Sequence, residues 1–449
     1  MRPSLRPIAF AILLAGTAGG ASAADLMQAY EMARQSDPVL AAAESERLIS
    51  GEGVVQSRAR LLPNIGGTAS LTDTRIRGLD GYDRDRSYGL SLTQSLYDHG
   101  NYTALRAAKL RDEQAAFALR AESDALLVRV ADAYFNVLTA IETLASSRAE
   151  ERSVKRQLDQ AEKRLEVGLA PITDVHEARA RYDSARANAI AAATALEDAR
   201  EALAEITGER LDGLMGLAPD YKPENADTRS AEEWVSIANE SNPTLQAAEL
   251  ALAAAERDIG TARAGHLPSL SASASIGDSA GWQNQYPGGP NTSGGGSTVG
   301  ISLSVPLYAG GAVQSGVRQA VYGRDIAAER LEQQRRAVVR QTRNAQRSLE
   351  AGEAEVEARR LSVVSAQAAY EASEAGLEVG TRTIVDVLIS QQALFQAQRE
   401  YARARHAFLV NTLRLKQAAG TISIEDLQAV NAVLVADAEA ALAASAEAE

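Results

Sequence analysis

The side chains that could perform chemistry in this sequence are few and scattered. Its four histidines have no histidine or acidic residue four positions away and lie far apart in the chain: His99, His176, His266 and His406. Metal binding and acid–base catalysis need such groups close together. Cysteine is absent, which excludes disulfides, thiol catalysis and thiolate metal ligands. We therefore predict no metal site, no cofactor and no enzymatic activity.

The charged residues of most interest follow two glycines. Asp174 follows Gly168 in the run GLAPITDV, and Arg382 and Asp386 follow Gly380 in the run GTRTIVDV. Both glycines lie between long helical stretches, so each predicts the turn of a helical hairpin. The helix dipole favours an aspartate in the first turn of a helix by about 0.3–1 kcal/mol. Spacing alone therefore favours a helix-start role for both aspartates.

Long helices must position these turns. The stretch 100–167 contains no proline and one glycine, at its start, and as a helix it would be about 100 Å long. Its apolar residues step by three and four, as in a coiled coil: Leu127, Val130, Tyr134, Val137, Ile141 and Leu144. The stretch 172–207 has the same spacing with many alanines, which let helices approach closely: Tyr182, Ala185, Ala189, Ala192, Leu196, Ala199, Leu203 and Ile206.

Four shorter segments alternate between apolar and small polar residues. The first pair has on its apolar side Ile65, Gly67, Ala69 and Leu71, then Tyr88, Leu90, Leu92, Gln94 and Leu96. The second pair has Leu270, Ala272, Ala274 and Ile276, then Val299, Ile301, Leu303, Val305 and Leu307. Segments of about ten residues with this alternation are typical of membrane-spanning barrel strands. Tyr97 and Tyr308, near strand ends, fit a lipid interface or ordinary packing.

The sequence contains an internal repeat. Matching residues are separated by 205 positions before the strands and by 212 in the helical hairpins: Pro38 and Pro243, Pro63 and Pro268, Gly168 and Gly380, Asp174 and Asp386. Such self-similarity predicts two copies of one structural unit. The offset changes mainly in the glycine-rich stretch 281–297, which we predict to be a flexible loop.

The domain boundaries follow from these patterns. Residues 1–23 have the positive, apolar and small-residue regions of a removable signal peptide. Repeat 1 is 24–222, with a helix over 26–61, strands about 64–76 and 86–97, and helices about 100–167 and 172–207. Repeat 2 is 223–419, with a helix, strands about 268–278 and 298–308, and helices about 312–379 and 382–419. Residues 420–449 form a C-terminal equatorial segment with a flexible tail, frayed or disordered after 436.

Composition limits which partners the protein can bind and which kind of segment could cross a membrane. The net charge of −13 argues against nucleic-acid binding. No run of 18 apolar residues occurs, so a membrane would have to be crossed by strands. Four strands cannot close a barrel, and open edges facing lipid would leave backbone groups unpaired at several kcal/mol each. We therefore predict an oligomer of two, three or four copies, with about eight, twelve or sixteen strands.

The runs GLAPITDV and GTRTIVDV, with the paired Pro63 and Pro268 before strands, resemble the TolC family of outer-membrane efflux and secretion ducts. The resemblance covers essentially the whole mature chain. It implies an α+β membrane protein: a homotrimer with a twelve-stranded barrel in the lipid of the outer membrane and a long helical coiled-coil tunnel across the periplasm. Such ducts dock onto a periplasmic adaptor and an inner-membrane transporter, as the exit of efflux or type I secretion systems.

The resemblance also implies roles at the helical tip. Asp174 and Arg382 correspond to partners that hold the duct closed, and Asp386 to a constricting acidic ring. Two departures from the family pattern, Leu377 and Ile389, suggest a single acidic layer with an apolar seal. The implied adaptor-docking residues are those of the hairpin turns: Val167, Gly168, Val379, Gly380 and Thr381.

Two other classes of protein fit parts of the sequence. A periplasmic adaptor or scaffold also has helical hairpins, but it should not contain two units with paired amphipathic strands. A passive porin has the strands, but it would not devote most of its length to heptads. The cargo is not encoded in any of these patterns.

Overall fold

The computed structural model describes residues 23–75, 83–211, 213–218, 221–223, 229–283 and 292–438. The predicted signal peptide, apart from Ala23, lies outside these residues, as does the tail from position 439 onward. Within the described ranges, no helix is both long and apolar enough to cross a bilayer.

Up to the second long helix of each, the two repeats have the same order of helices and strands. Repeat 1 contains α1 (Leu26–Ser36), α2 (Pro38–Ala59), β1 (Asn64–Thr74), β2 (Asp83–Tyr97), α3 (His99–Glu166), α4 (Ile172–Thr207) and β3 (Met215–Leu217). Repeat 2 contains α5 (Ala231–Ser241), α6 (Pro243–Arg263), β4 (Ser269–Gln283), β5 (Thr292–Ser304), α7 (Ala312–Glu378) and α8 (Ile384–Ala419). Helix α9 (Ile424–Asn431) and strand β6 (Leu434–Asp437) follow.

The helix predicted over 26–61 is two helices. Asp37 has an extended backbone (ψ 117°), and its carboxylate accepts a hydrogen bond from the Leu40 amide at 3.0 Å, which caps α2. Pro38 then occupies the first position of α2, where its missing N–H costs nothing. The residue before a proline avoids helical backbone, so α1 has to end at Ser36. Asn242 and Pro243 repeat the junction between α5 and α6.

The strands extend further outward than the alternation predicted. β2 begins at Asp83, β4 continues to Gln283 and β5 begins at Thr292, so parts of the predicted loops are strand. The remainder of the predicted loop, 284–291, lies outside the described residues. β5 ends at Ser304, not near position 308, because Pro306 has no N–H to donate to a neighbouring strand.

The four long strands form one antiparallel sheet in the order β1-β2-β4-β5. Cross-strand register places the apolar residues on a single face, because directly opposed residues point the same way: Ile65 opposite Leu92, Leu92 opposite Ala274, and Ala274 opposite Val299. The other face consists mainly of serine, threonine and glycine. One face of the sheet therefore suits lipid and the other suits water.

The helices follow the order of the strands. Next to the sheet they pack as a row α2-α3-α6-α7, and in the half farther from the sheet α3 packs between α4 and α8, with α7 outside α8. The heptad residues predicted in α3 are all buried, which confirms the coiled-coil prediction: Leu127, Val130, Tyr134, Val137, Ile141 and Leu144. Among the described residues, α2 lies at one end of the row next to the sheet and packs mainly against α3.

The middle of the long helices is enclosed by an equatorial core, formed by α1, α9, β3 and β6 against α3 and α8. The Tyr134 hydroxyl donates within this core to the carbonyl oxygens of Ala24 and Met215, at 3.0 and 2.8 Å. The helix ends at Gly208 and Gly420 contact the α1–α2 and α5–α6 junctions. Beyond this core, the hairpins α3–α4 and α7–α8 continue to their turns.

Candidate functional site

The two helical hairpins turn with the same backbone geometry. Gly168 and Gly380 have φ of 75° and 76°, a region that L side chains avoid. After the first, the Leu169 amide donates to the Arg164 carbonyl at 2.7 Å; after the second, the Thr381 amide donates to the Gly376 carbonyl at 2.8 Å. These are Schellman caps, which satisfy the last carbonyls of α3 and α7.

The second helices of the hairpins begin differently. In α8 the Thr383 hydroxyl accepts from the Asp386 amide at 3.3 Å, and the Asp386 carboxylate accepts from the Thr383 amide at 2.9 Å. This capping box satisfies two amides that lack helical partners. α4 begins after Pro171, which provides no side-chain cap, and Asp174 lies in its first turn.

The Asp386 carboxylate is therefore held by its own helix. The hydrogen bonds from the Thr383 backbone and hydroxyl lower the pKa of Asp386, and the nearby Arg382 charge lowers it further. Hydrogen bonds and positive charge stabilise the ionised form of a carboxyl group. Asp386 consequently stays charged at neutral and mildly acidic pH.

Within one protomer Asp174 and Arg382 are not paired. Across the described residues, neither forms an ion pair with any group. Arg382 is exposed, its amide donates to the Gly376 carbonyl at 3.1 Å, and its aliphatic stem covers Gly376 so closely that a Cβ there would lie 2.6 Å from the arginine Cγ. The arginine stem is positioned by the turn, while its charge remains available.

The two apolar residues that depart from the family pattern, Leu377 and Ile389, lie in different environments. Leu377 is half-buried against a tip core made by α3, α4 and α8: Val154, Leu158, Ala161, Val175, Ala178, Ile384 and Leu388. Ile389 is 51% exposed. Leu377 therefore contributes to the tip core, whereas the Ile389 side chain faces outward from it.

A buried polar layer lies beside the tip core and was not predicted. Gln391, which is 1% exposed, donates through Nε2 to the Ser153 hydroxyl at 2.5 Å, and Tyr370 lies next to it at 3.5 Å. Burial raises the pKa of the Tyr370 hydroxyl. The available signal was spacing, since Gln391 follows Ile384 and Leu388 at steps of four and three, as a seam residue does.

The turns expose apolar side chains at the end of the molecule. Val167, Leu169 and Val379 are all more than two-thirds exposed, next to the predicted docking glycines and the exposed Thr381. Leu169 was absent from the predicted set. Exposed apolar groups gathered on a rigid turn are typical of protein-binding surfaces. Among the described residues, no three acidic or histidine side chains are grouped as metal ligands would be.

Comparison with known proteins agrees with this architecture. A family model described as outer membrane efflux protein matches residues 29–209 and 234–421, one match for each repeat. Outer membrane protein TolC of Escherichia coli (strain K12) is 37% identical over 447 residues, covering 96% of this chain and 89% of that protein. Alkaline protease secretion protein AprF of Pseudomonas aeruginosa is 30% identical over 434 residues, covering 92% and 88%.

Solved structures share the fold. The CmeC outer membrane channel of Campylobacter jejuni superimposes with a TM-score of 0.75 over 97% of this chain and 98% of that chain, at 17% identity. The predicted fold class, barrel strands continued by a helical tunnel in two repeats, is confirmed. The chain belongs to the outer membrane efflux protein family, as an outer-membrane exit duct with a periplasmic helical tunnel for efflux or type I secretion.

Proposed function

We propose that three copies of this chain close one twelve-stranded barrel and one helical tunnel, which docks by its tip onto a periplasmic adaptor and an inner-membrane transporter. The observation on which this depends is that the sheet of the described residues ends on both sides in a strand with one unpaired edge. Within the described part of the chain, β1 pairs with β2 alone and β5 with β4 alone, and α2 packs mainly against α3. Strand edges in lipid must be paired, so copies of the same chain have to supply the missing neighbours.

The end helices support closure by further copies. On α2, Leu48 and Val55 are exposed and seven residues apart, so they lie on one face. On α7, Tyr322 and Ile326 form a similar exposed stripe four residues apart. Apolar stripes on the two ends of one row suit burial against each other across a rotational interface.

The water-suited face of the sheet fits the wall of a general duct. Apart from Asp85, the described side chains on this face are small and uncharged: Asn64, Thr68, Ser70, Thr72, Thr74, Ser87, Ser91, Thr93, Ser95, Ser269, Ser271, Ser273, Ser275, Ser279, Thr298, Ser302 and Ser304. Such a wall hydrogen-bonds water and offers little charge to select cargo. The proposal therefore places cargo choice in the inner-membrane transporter and involves no catalytic step.

The tip is the proposed gate. Asp174 and Arg382 have no ionic partner within a protomer, so an ion pair between neighbouring protomers is open to them. Asp386 would provide an acidic ring and Ile389 an exposed apolar one, while Leu377 supports the gate from the tip core. An exposed ion pair contributes about 0–1 kcal/mol, so three copies hold the tip closed by a few kcal/mol. An adaptor that prefers the open tip can supply that much.

Conductance in planar bilayers tests the gate. Asp174→Ala combined with Arg382→Ser should raise the conductance of the reconstituted protein, because the closing ion pairs are lost. The matched control is Glu162→Ala with Arg179→Ser, which removes an exposed ion pair of 2.8 Å within a single hairpin. The control should conduct like the parent. Equal conductance of all three proteins would remove Asp174 and Arg382 from the gate.

A further inference from the structure

The outer end of the lipid face of the sheet has an unusual arginine. Helices leave the sheet at one end, toward the periplasm, so the opposite ends of the strands, at Thr74, Asp83, Gln283 and Thr292, are the outer ends. On β2 and β4 the continuous apolar run of this face extends outward to Leu90 and Ile276, which lie opposite each other. Next along the same face come Tyr88, Arg86 and Trp282, with Arg86 opposite Leu71 on one side and Ala280 on the other.

The dimensions place Arg86 at the level of lipid headgroups. Tyr88 and Tyr97 are nine residues apart on β2, about 30 Å along a strand. With the usual barrel tilt this corresponds to an apolar band about 25 Å tall, flanked by aromatic residues at both interfaces. Arg86 lies one same-face position beyond Tyr88, just outside that band.

Two aromatic rings hold the arginine. The Arg86 guanidinium lies 5.5 Å from the centroid of the Trp282 ring and 5.9 Å from that of Tyr88. It forms no ion pair with a described carboxylate, whereas Arg84 on the same face pairs with Asp73 at 3.1 Å. Stacking on aromatic faces leaves the N–H groups at the guanidinium edge free to donate.

We propose that Arg86, supported by Trp282 and Tyr88, binds the phosphate of a lipid in the outer leaflet of the outer membrane. Guanidinium groups bind phosphate through paired, charge-assisted hydrogen bonds, and such a lipid is the anion present at this depth. Asp278, opposite Tyr88 on the same face, disfavours phosphate any deeper. The phosphate therefore binds on the outer side of Arg86, once per protomer around the barrel.

Native mass spectrometry of the protein in nanodiscs tests the site. The nanodiscs contain neutral phosphatidylcholine doped with a phosphorylated glycolipid, lipid A, as the probe. Arg86→Gln should reduce retained lipid A about tenfold, the loss expected for one charge-assisted contact. The matched control is Arg84→Gln, a neighbouring arginine that already has an ionic partner, and it should retain lipid A. Oligomeric state and conductance should stay unchanged in both variants, so failure here is distinguishable from failure of the duct proposal.

Two outcomes would overturn the proposal. Equal retention of lipid A by the Arg86→Gln variant and the parent would show that this arginine does not bind the lipid. Displacement of lipid A by inorganic phosphate at equal concentration would assign the site to free phosphate and not to a membrane lipid.

Discussion

Two aspartates at equivalent positions of the repeats have different surroundings. Asp174 and Asp386 are separated by the repeat offset of 212 and both lie in the first turn of a helix. Asp386 accepts two hydrogen bonds from Thr383, whereas Asp174 follows a proline and has no capping role. A helix-start role and a pore role are therefore compatible at Asp386, because a capping carboxylate keeps its charge.

Two substitutions separate these roles at Asp386. Asp386→Asn should weaken the cation preference of the reconstituted channel, because a ring of carboxylates loses its charge. Thr383→Ala breaks the same capping box but leaves the Asp386 carboxylate in place, so the cation preference of this variant should persist. Reversal potentials in a salt gradient measure both. An unaltered reversal potential in the Asp386→Asn variant would exclude an acidic constriction at this residue.

Asp124 on α3 gives the protein a pH-dependent weakness. Its Oδ2 is buried and has no hydrogen-bond partner among the described residues, and desolvation raises the pKa of Asp124 to about 6. The folded protein therefore binds more protons than the unfolded chain between the ordinary value of 3.8 and about 6. Stability falls as pH rises through that window and stays reduced above it.

Neutralising this side chain should remove the weakness. Asp124→Asn is expected to raise the free energy of unfolding at about pH 7.5 by about 1–2 kcal/mol, allowing for partial exposure, and to have little effect near pH 4. Denaturant unfolding at the two pH values measures the difference. Asp183→Asn, at an exposed acid on α4, should change neither value. A gain that does not depend on pH would contradict the mechanism.

The site residues show what spacing can and cannot predict. Glycine spacing predicted both turns, because a left-handed residue is needed wherever a helix reverses. The burial of Leu377 was not predictable, since it depends on how α4 and α8 pack around α3. Leu169 and Gln391 were missed because simple binary patterning expects polar residues in turns and apolar residues at buried helix positions. Leu169 is an apolar residue in a turn, and Gln391 is a polar residue at a buried position.

At the scale of helices and strands, apolar periodicity predicted the correct structure where one face of the helix or strand is buried. Heptads predicted α3 as one continuous helix, and alternation located four strands. It failed at the outer ends of the hairpins, where Arg84 pairs with Asp73 outside the apolar band and no alternating face remains. The break at Asp37 was visible as an Asp-Pro pair, a signal of local backbone restriction that a search for apolar periodicity overlooks.

The ends of α4 and α8 attach the hairpins to the equatorial core by close backbone contact. Gly420 has φ of 71°, and a Cβ there would lie 2.5 Å from the Ser241 carbonyl oxygen and 2.6 Å from the Asn242 Cα. Both neighbours are backbone atoms of a capped junction, so they cannot move aside cheaply. The hairpin is thus fixed at its base.

Gly420→Ala should be strongly destabilising. Gly380→Ala is the matched control, because its φ of 76° imposes the same backbone strain while no atom lies within 4 Å of the added methyl. The control should lose about 1–2 kcal/mol, and Gly420→Ala clearly more, because the clash adds to the strain. Thermal and denaturant unfolding of both variants measures the gap. Equal losses would show that the junction adapts and does not anchor α8.

At the scale of the molecule, the sequence could predict assembly but not its number. Four amphipathic strands require further copies, since an open edge in lipid is costly whatever the symmetry. The count depends on barrel curvature and, in the proposed trimer, on how α2 meets α7 of a neighbour, which are properties of the interface and not of any periodic pattern. The exposed stripes on these two helices are where assembly can be tested.

The α2 stripe should be essential for assembly. Leu48 is 71% exposed in the protomer, and in the proposed trimer it is buried against α7 of a neighbour. Leu48→Glu places a charge in that interface, where an unpaired buried charge costs several kcal/mol, so the purified variant should run as a monomer or aggregate. Leu169→Glu is the matched control, because Leu169 is also 71% exposed but lies at the hairpin turn. It should remain trimeric in detergent by light scattering and lose only adaptor binding. A trimeric Leu48→Glu variant would mean that α2 faces solvent and that the copies meet elsewhere.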